Sequence, residues 1–247
     1  MRLRQILHAI VWTKRHLAKN YRVDPVDALA GFIGPDAICI DVGAHAGSWT
    51  RPLARLVSPK GHVYAFEGLP YYSEVLSFTM ALLRLRNVTV VNRVVADHNK
   101  SVRLKWKDHR GNRLTGLTHV VGLGEEDAED LIEAQSTTLD EFISSNGIQP
   151  SRIAFVKGDV EGGELMVVRG AENLIEQSRP IFYLEVNPEY CKRYGYQPAD
   201  LFDFFKQHKY LALNIKEGVI TELGDEDDVL FMPEELQEKR SSQTSIQ

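Results

Sequence analysis

The chain has 247 residues, 43% of them hydrophobic and 26% charged, and a formal net charge of -5. That is enough chain to bury one large core, and it lacks the basic excess with which nucleic-acid binders meet phosphates. Two cysteines, Cys39 and Cys191, make neither a disulfide framework nor a zinc site, no segment approaches the roughly 18 apolar residues of a membrane span, and a reducing cytoplasm is the expected compartment.

Residues 1–35 read as a basic helical extension. Arg2, Arg4, Lys14, Arg15, Lys19 and Arg22 all precede the first acid, Asp24, while Leu3, Ile6, Leu7, Ile10 and Val11 recur at helical spacing and Leu17 extends the stripe. His8 interrupts the apolar run, so a secretory signal is not expected. The helix is expected to cover a flank of its own domain, with a membrane surface or a partner as the alternative.

From residue 37 strands and helices alternate, which predicts an α/β domain over 36–235 with a mostly parallel sheet and helices on both faces. Strands are expected at 37–41, 62–67, 88–91, 153–156 and 181–186. Between them helices are expected at 48–56, 70–84, 164–168 with 171–177, and 198–208, and Thr138 with Glu141 has capping-box spacing for a helix ending at Ser145. The segment 101–135 breaks the rhythm and reads as an inserted lid: Val102, Leu104 and Trp106 alternate, Gly111-Asn112 is a turn, and the acids Glu125, Glu126, Asp127, Glu129 and Asp130 read as a solvated face. Tyr210 to Ile215, Gly218 to Ile220 and Val229 to Phe231 read as an antiparallel strand pair at the C-terminal edge. A polar tail, 236–247, follows, with fraying expected from Glu234 onward.

The most informative run is Ile38-Cys39-Ile40-Asp41-Val42-Gly43-Ala44-His45-Ala46-Gly47-Ser48-Trp49-Thr50, an apolar strand that ends on an acid and turns through two glycines into a helix. Gly43 and Gly47 can take positive φ and let a ligand lie against the backbone, with the N–H groups of the new helix turned toward an anionic group. The spacing is D-x-G-x-x-x-G rather than G-x-G-x-x-G, and Asp41 would repel a pyrophosphate. An acid there suits a cationic ligand such as S-adenosylmethionine (SAM), and Glu67, ending the second strand, is placed to accept hydrogen bonds from ribose hydroxyls. A second cluster, Lys157-Gly158-Asp159-Val160-Glu161-Gly162-Gly163-Glu164, lies at the carboxyl end of the fourth strand, where open α/β sheets bind ligands, and Glu185 ends the neighbouring strand.

Seven stretches in order resemble the FkbM-type methyltransferases: IDVGAHAGSWT (40–50), VYAFEGLP (63–70), VVNRVVAD (90–97), TTLDEFI (137–143), VKGDVEGGE (156–164), VRG (168–170) and YLEV (183–186). The family usually carries Asn where His45 stands and a bulky apolar residue where Gly158 stands. The resemblance implies a Rossmann-like class I methyltransferase fold and methyl transfer from SAM to a hydroxyl. It implies that Asp41, Gly43, Ala44, His45, Gly47 and Thr50 surround the methionine part, that Glu67 with Gly68 holds the ribose, that Val94 flanks the adenine, and that Asp159 lies near the transferred methyl.

An alcohol needs its proton removed as it attacks, so Asp159 or Glu161 is expected as base, with Lys157 as counter-charge to Asp159 and Glu185 orienting the acceptor. The other arrangement has Asp159 and Glu185 sharing Mg²⁺. His45 is expected to reach the SAM carboxylate, and His98, His109 and His119 are further conceivable bases, the last two read as solvent-exposed in the insertion. The expected acceptor is a hydroxyl of a sugar-containing molecule or natural product, with no nucleic acid involved. An NAD(P)-dependent oxidoreductase and a non-catalytic SAM-binding or scaffold protein are the competing readings.

Overall fold

In the computed structural model, which describes residues 2–18, 24–106, 118–124, 131–214, 218–223 and 227–237, an eight-stranded sheet carries the cleft described below. In chain order, α1 (Leu3–Leu17) and α2 (Asp24–Leu29) precede β1 (Ile38–Val42), α3 (Thr50–Leu56), β2 (His62–Phe66), α4 (Pro70–Leu82) and β3 (Val88–Val91). Then come β4 (Val94–Val95), β5 (Ser101–Lys105), β6 (His119–Val120), β7 (Leu131–Thr137), α5 (Leu139–Ser145), a short 3₁₀ turn (Pro150–Arg152) and β8 (Ile153–Gly158). The chain continues through α6 (Glu164–Arg169), α7 (Glu172–Ser178), β9 (Ile181–Val186), α8 (Pro188–Lys192), α9 (Pro198–Gln207), β10 (Tyr210–Asn214), β11 (Gly218–Ile220) and β12 (Asp227–Pro233).

The strand order is β11-β10-β12-β9-β8-β1-β2-β3, with β1 parallel to both β2 and β8. Chain direction across the sheet therefore reverses beside β1, the place where such sheets bind ligands. All five residues of β1 are buried, as a strand covered on both faces requires.

At the far edge the structure corrects the expected strand pair, since three strands follow β9 and β12 lies between β9 and β10, antiparallel to both. The side chains explain this. Val229 and Phe231 enter the core on one face and Leu230 and Met232 the core on the other, so β12 needs cover on both sides. The sparsely buried β11 takes the edge instead.

The insertion forms its own sheet, ordered β4-β7-β5-β6. Leu104 from β5 packs with Leu69 and Tyr72 at the start of α4, with Val94, Trp106, Val120 and Ile132 around them. His109, the turn at Gly111-Asn112 and the acids Glu125 to Asp130 lie outside the described residues. The Thr138 hydroxyl accepts the Glu141 N–H at 3.0 Å, one half of the expected capping box, while the Thr138 N–H donates instead to Asn99 Oδ1 at 2.8 Å.

The extension is knitted to the domain in two ways. Val26, Leu29 and Ile33 sit in one core with Cys39 and Leu53. Helix α1 packs on α4, though it buries Gln5, Ala9 and His16 and leaves the leucine stripe exposed. Polar matching decides the face: Gln5 Nε2 donates to Glu74 Oε2 at 2.8 Å, the His16 ring pairs with the Ala46 carbonyl at 2.9 Å, and Ala9 permits close approach. At the other end residues 234–237 form a helical turn rather than fraying, and Glu235 ion-pairs with Arg179. Among the described residues no helix is long and apolar enough to cross a membrane.

Candidate functional site

The loop after β1 has the backbone its glycines predict, with φ of 75° at Gly43 and 87° at Gly47. What demands glycine there is the protein itself rather than a ligand. A β-carbon on Gly43 would stand 1.9 Å from the Asp159 carbonyl oxygen, and one on Gly47 would press on Leu76 and Met80 at 2.7 and 2.8 Å. His45 is also left-handed, at φ 45°, a conformation that Asn and His tolerate better than most residues. The N–H groups of Gly43 and Ala44 both donate to the Phe66 carbonyl, at 3.1 and 2.9 Å, and lock the loop to the end of β2.

Beneath the loop, Asp41 is fully buried and its Oδ2 accepts the Thr50 hydroxyl at 2.6 Å. Its strand partner across β8 is Lys157, whose Nζ lies 3.9 Å from Asp41 Oδ1 and 3.0 Å from Asp159 Oδ2. Burial pushes the Asp41 pKa up, and Lys157 and Thr50 pull against it. For Lys157, burial works against the charge, but Asp159 and Asp41 outweigh it and the pKa rises.

At the end of β2, Glu67 accepts the His45 N–H at 2.9 Å and the Leu69 N–H at 2.8 Å. Burial lifts its pKa from 4.5 to about 7 despite those donors. Burial of Glu185 at the end of β9, followed by the charge of the nearby Asp159, raises its pKa to about 8. The lysine pairs with Asp159, and Glu185 lies within electrostatic reach of both. Glu161, with φ 59°, stands in the turn beyond it.

A cleft opens over the carboxyl ends of β1, β2 and β8. Of the residues expected to meet the cofactor, Gly43, His45, Glu67, Gly68, Val94 and Asp159 line it, as does Glu161. Asp41, Ala44, Gly47 and Thr50 stand behind this wall, as does Lys157. They support the loop from inside and do not line the cleft itself. Glu185 reaches the cleft only through Asp159.

Sequence reading missed several wall residues: Ser48, Tyr72, Arg93, Leu104 and Thr118. His119, expected in solvent, is 6% exposed and lines the cleft, because β6 folds the insertion back beside Val94 and Leu104. The short run His119-Val120-Val121 is only a weak strand signal. The His45 ring is packed between Tyr72, at 4.3 Å between centroids, and Trp12 of α1, at 5.8 Å. Burial drives its pKa down to about 4, so it meets a ligand as neutral imidazole. His98 pairs with its neighbour Asp97 on the surface and does not line the cleft.

SAM fits these residues. His45 Nε2, in the cleft wall, is a buried polar atom without a hydrogen-bond partner, which leaves capacity for the charged end of a ligand beside the loop. Glu67 keeps free lone pairs for a diol. The proposed Mg²⁺ pair fits poorly. The Lys157 ammonium already occupies Asp159 Oδ2, a cation where a divalent ion would have to approach, and among the described residues no group of three His, Cys, Asp or Glu converges.

A family model described as the Methyltransferase FkbM domain matches residues 41–212. Among solved structures the chain is similar to methyltransferase FkbM from Methylobacillus flagellatus KT, with a TM-score of 0.50 and 16% identity, covering 92% of this chain and 59% of that one. It is also similar to the cofactor-bound Rv0187 from MTB, with a TM-score of 0.50 and 14% identity, covering 93% of this chain and 89% of that one. At these identities the likeness speaks for the fold, the Rossmann-like fold of class I methyltransferases. No curated protein matches the sequence significantly.

Proposed function

Because the chain belongs to the FkbM family of SAM-dependent methyltransferases, we propose that it transfers the methyl group to a hydroxyl of a sugar-containing or natural-product acceptor. The observation that carries this reading is the pair of carboxylates, Asp159 and Glu161, in the wall of the cleft whose other end is Glu67. Oxygen nucleophiles need a base in place, and carboxylates beside the transfer point supply one.

Bound SAM supplies a methyl group on a positively charged sulfur, activated for displacement. Glu67 binds the ribose hydroxyls, and its grip on the His45 and Leu69 N–H groups fixes where it does so. Asp41, held by Thr50, presents negative charge under the methionine loop. The Asp159 carboxylate takes the proton of the attacking hydroxyl, positioned by the 3.0 Å contact with Lys157. Glu185, whose proton burial and the charge of Asp159 hold more tightly than in a free carboxyl, stands beside Asp159 on the other side. A cytoplasmic setting is consistent with two free, buried cysteines.

Calorimetry with SAM and with NAD, followed by S-adenosylhomocysteine release over a panel of hydroxylated glycosides, tests the proposal. SAM binding with acceptor-dependent turnover supports it. NAD binding in place of SAM would make the protein an oxidoreductase, and SAM binding with no turnover on any hydroxylated acceptor would leave only the sensing or scaffold role.

A further inference from the structure

The exposed face of α1 carries a feature that methyl transfer does not use. Leu3, Leu7, Ile10, Val11 and Leu17 are 71, 56, 38, 48 and 61% exposed, five of the eight large apolar side chains with high exposure among the described residues. Their spacing places them on one side of a 15-residue helix, opposite the Gln5, Ala9 and His16 face that docks on the domain. Arg2, Arg4, Lys14 and Arg15 are exposed along the same helix, and no acid occurs before Asp24. By helical spacing Lys14 falls within the apolar stripe and Arg4 and Arg15 border it, while the Arg15 guanidinium also covers the Trp12 ring at 4.8 Å.

We propose that this face is a docking surface for an anionic phospholipid bilayer, on which α1 lies in the plane of the interface. An interfacial helix needs an apolar strip to enter the acyl boundary and basic side chains to meet the headgroups, and the outer side of α1 supplies both. The flexible stems of Lys14, Arg4 and Arg15 let their charges rise to the headgroups beside the buried strip. A second copy of the chain is the poorer occupant, because pairing through this face would oppose like charges with no acid to offset them. The inner side of the same helix holds Trp12 against His45, so docking would set the cofactor cleft close to the lipid surface.

Flotation of the full chain with vesicles of phosphatidylcholine alone, or of phosphatidylcholine mixed with phosphatidylglycerol, tests this. Binding is expected to strengthen about tenfold or more when the anionic lipid is present and to weaken as salt is raised. Leu7→Glu with Ile10→Glu should abolish flotation while leaving thermal unfolding and SAM affinity unchanged, since both side chains point away from the domain. Arg4→Glu with Lys14→Glu should remove the preference for anionic lipid. Wild-type protein that stays unbound at low salt, or the Leu7 and Ile10 variant floating as well as wild type, overturns the proposal. So does a dimer that this variant dissociates in the absence of vesicle binding.

Discussion

The backbone N–H of His45 donates to Glu67 Oε2 at 2.9 Å, so the loop that follows β1 is held in shape by the residue assigned to the ribose. On the ribose role proposed for Glu67, cofactor binding and loop geometry form one unit.

Replacing Glu67 with Gln tests that unit. The amide nitrogen cannot accept the N–H groups of both His45 and Leu69, and one buried donor is left facing another. SAM affinity should fall by about tenfold to a hundredfold, from roughly 1.5–3 kcal/mol of lost charged hydrogen bonding. Calorimetry showing an unchanged dissociation constant would remove Glu67 from the cofactor site.

Gly43→Ala probes the contact between the loop and β8. The left-handed backbone alone costs about 1–2 kcal/mol for a residue with a β-carbon, and the 1.9 Å approach to the Asp159 carbonyl forces a backbone shift in addition. The melting temperature should drop by at least about 3 °C, and SAM binding should weaken as the loop is pushed out of place. A variant that melts and binds like wild type would mean that the loop relaxes freely there.

Glu164 gives a stability prediction with a definite sign. It is fully buried, and its Oε1 accepts the Val160 and Gly162 N–H groups at 3.0 and 3.4 Å. Burial lifts its pKa from 4.5 to about 7, so the folded state prefers the protonated acid. Its contribution is complete below about pH 4.5 and is lost as pH rises through about 7, a swing on the order of 3 kcal/mol. Glu164→Gln keeps the accepting oxygen and cannot ionise. It should match wild type near pH 4.5 and melt higher at about pH 8; a variant that melts no higher than wild type at the alkaline end refutes the assignment.

Asp159 and Glu185 separate by their pH profiles. Asp159→Asn should lower kcat by about a hundredfold to ten-thousandfold with little change in SAM affinity, as loss of a general base does. It should also move the titration of Glu185 below about 8, because a like charge beside it disappears. Glu185→Gln should keep much of the rate near neutral pH and lose the ionisation near 8. If Asp159→Asn retains more than about a tenth of wild-type kcat, another group takes the proton.

Much of the fold was legible because its signals are local. Val88–Val91 and Ile181–Val186 stand where apolar runs between breakers place them, and Thr138 caps its helix at the spacing its hydroxyl requires. The place of β12 was less legible, since one strand cannot show which neighbours its two apolar faces will meet. His119 escaped for a similar reason: burial comes from where the insertion folds, and residues around it give only a short alternation.

The sequence by itself determined the chemistry on offer: an acid near the end of β1 with two flexible glycines after it, a glutamate after β2, and a lysine near the end of β8 with acids after it. Residue type and spacing suffice for that, because positive φ, charge and strand direction are properties of the local chain. Only the tertiary structure decided which of these groups face the cleft. Gly43 is needed because Asp159, more than a hundred residues later in the chain, passes against it. Lys157 serves two acids because parallel pairing of β1 and β8 sets it beside Asp41. Which side of α1 is buried followed from the polar atoms of Gln5 and His16 finding partners on the domain, an outcome that counting apolar side chains cannot give.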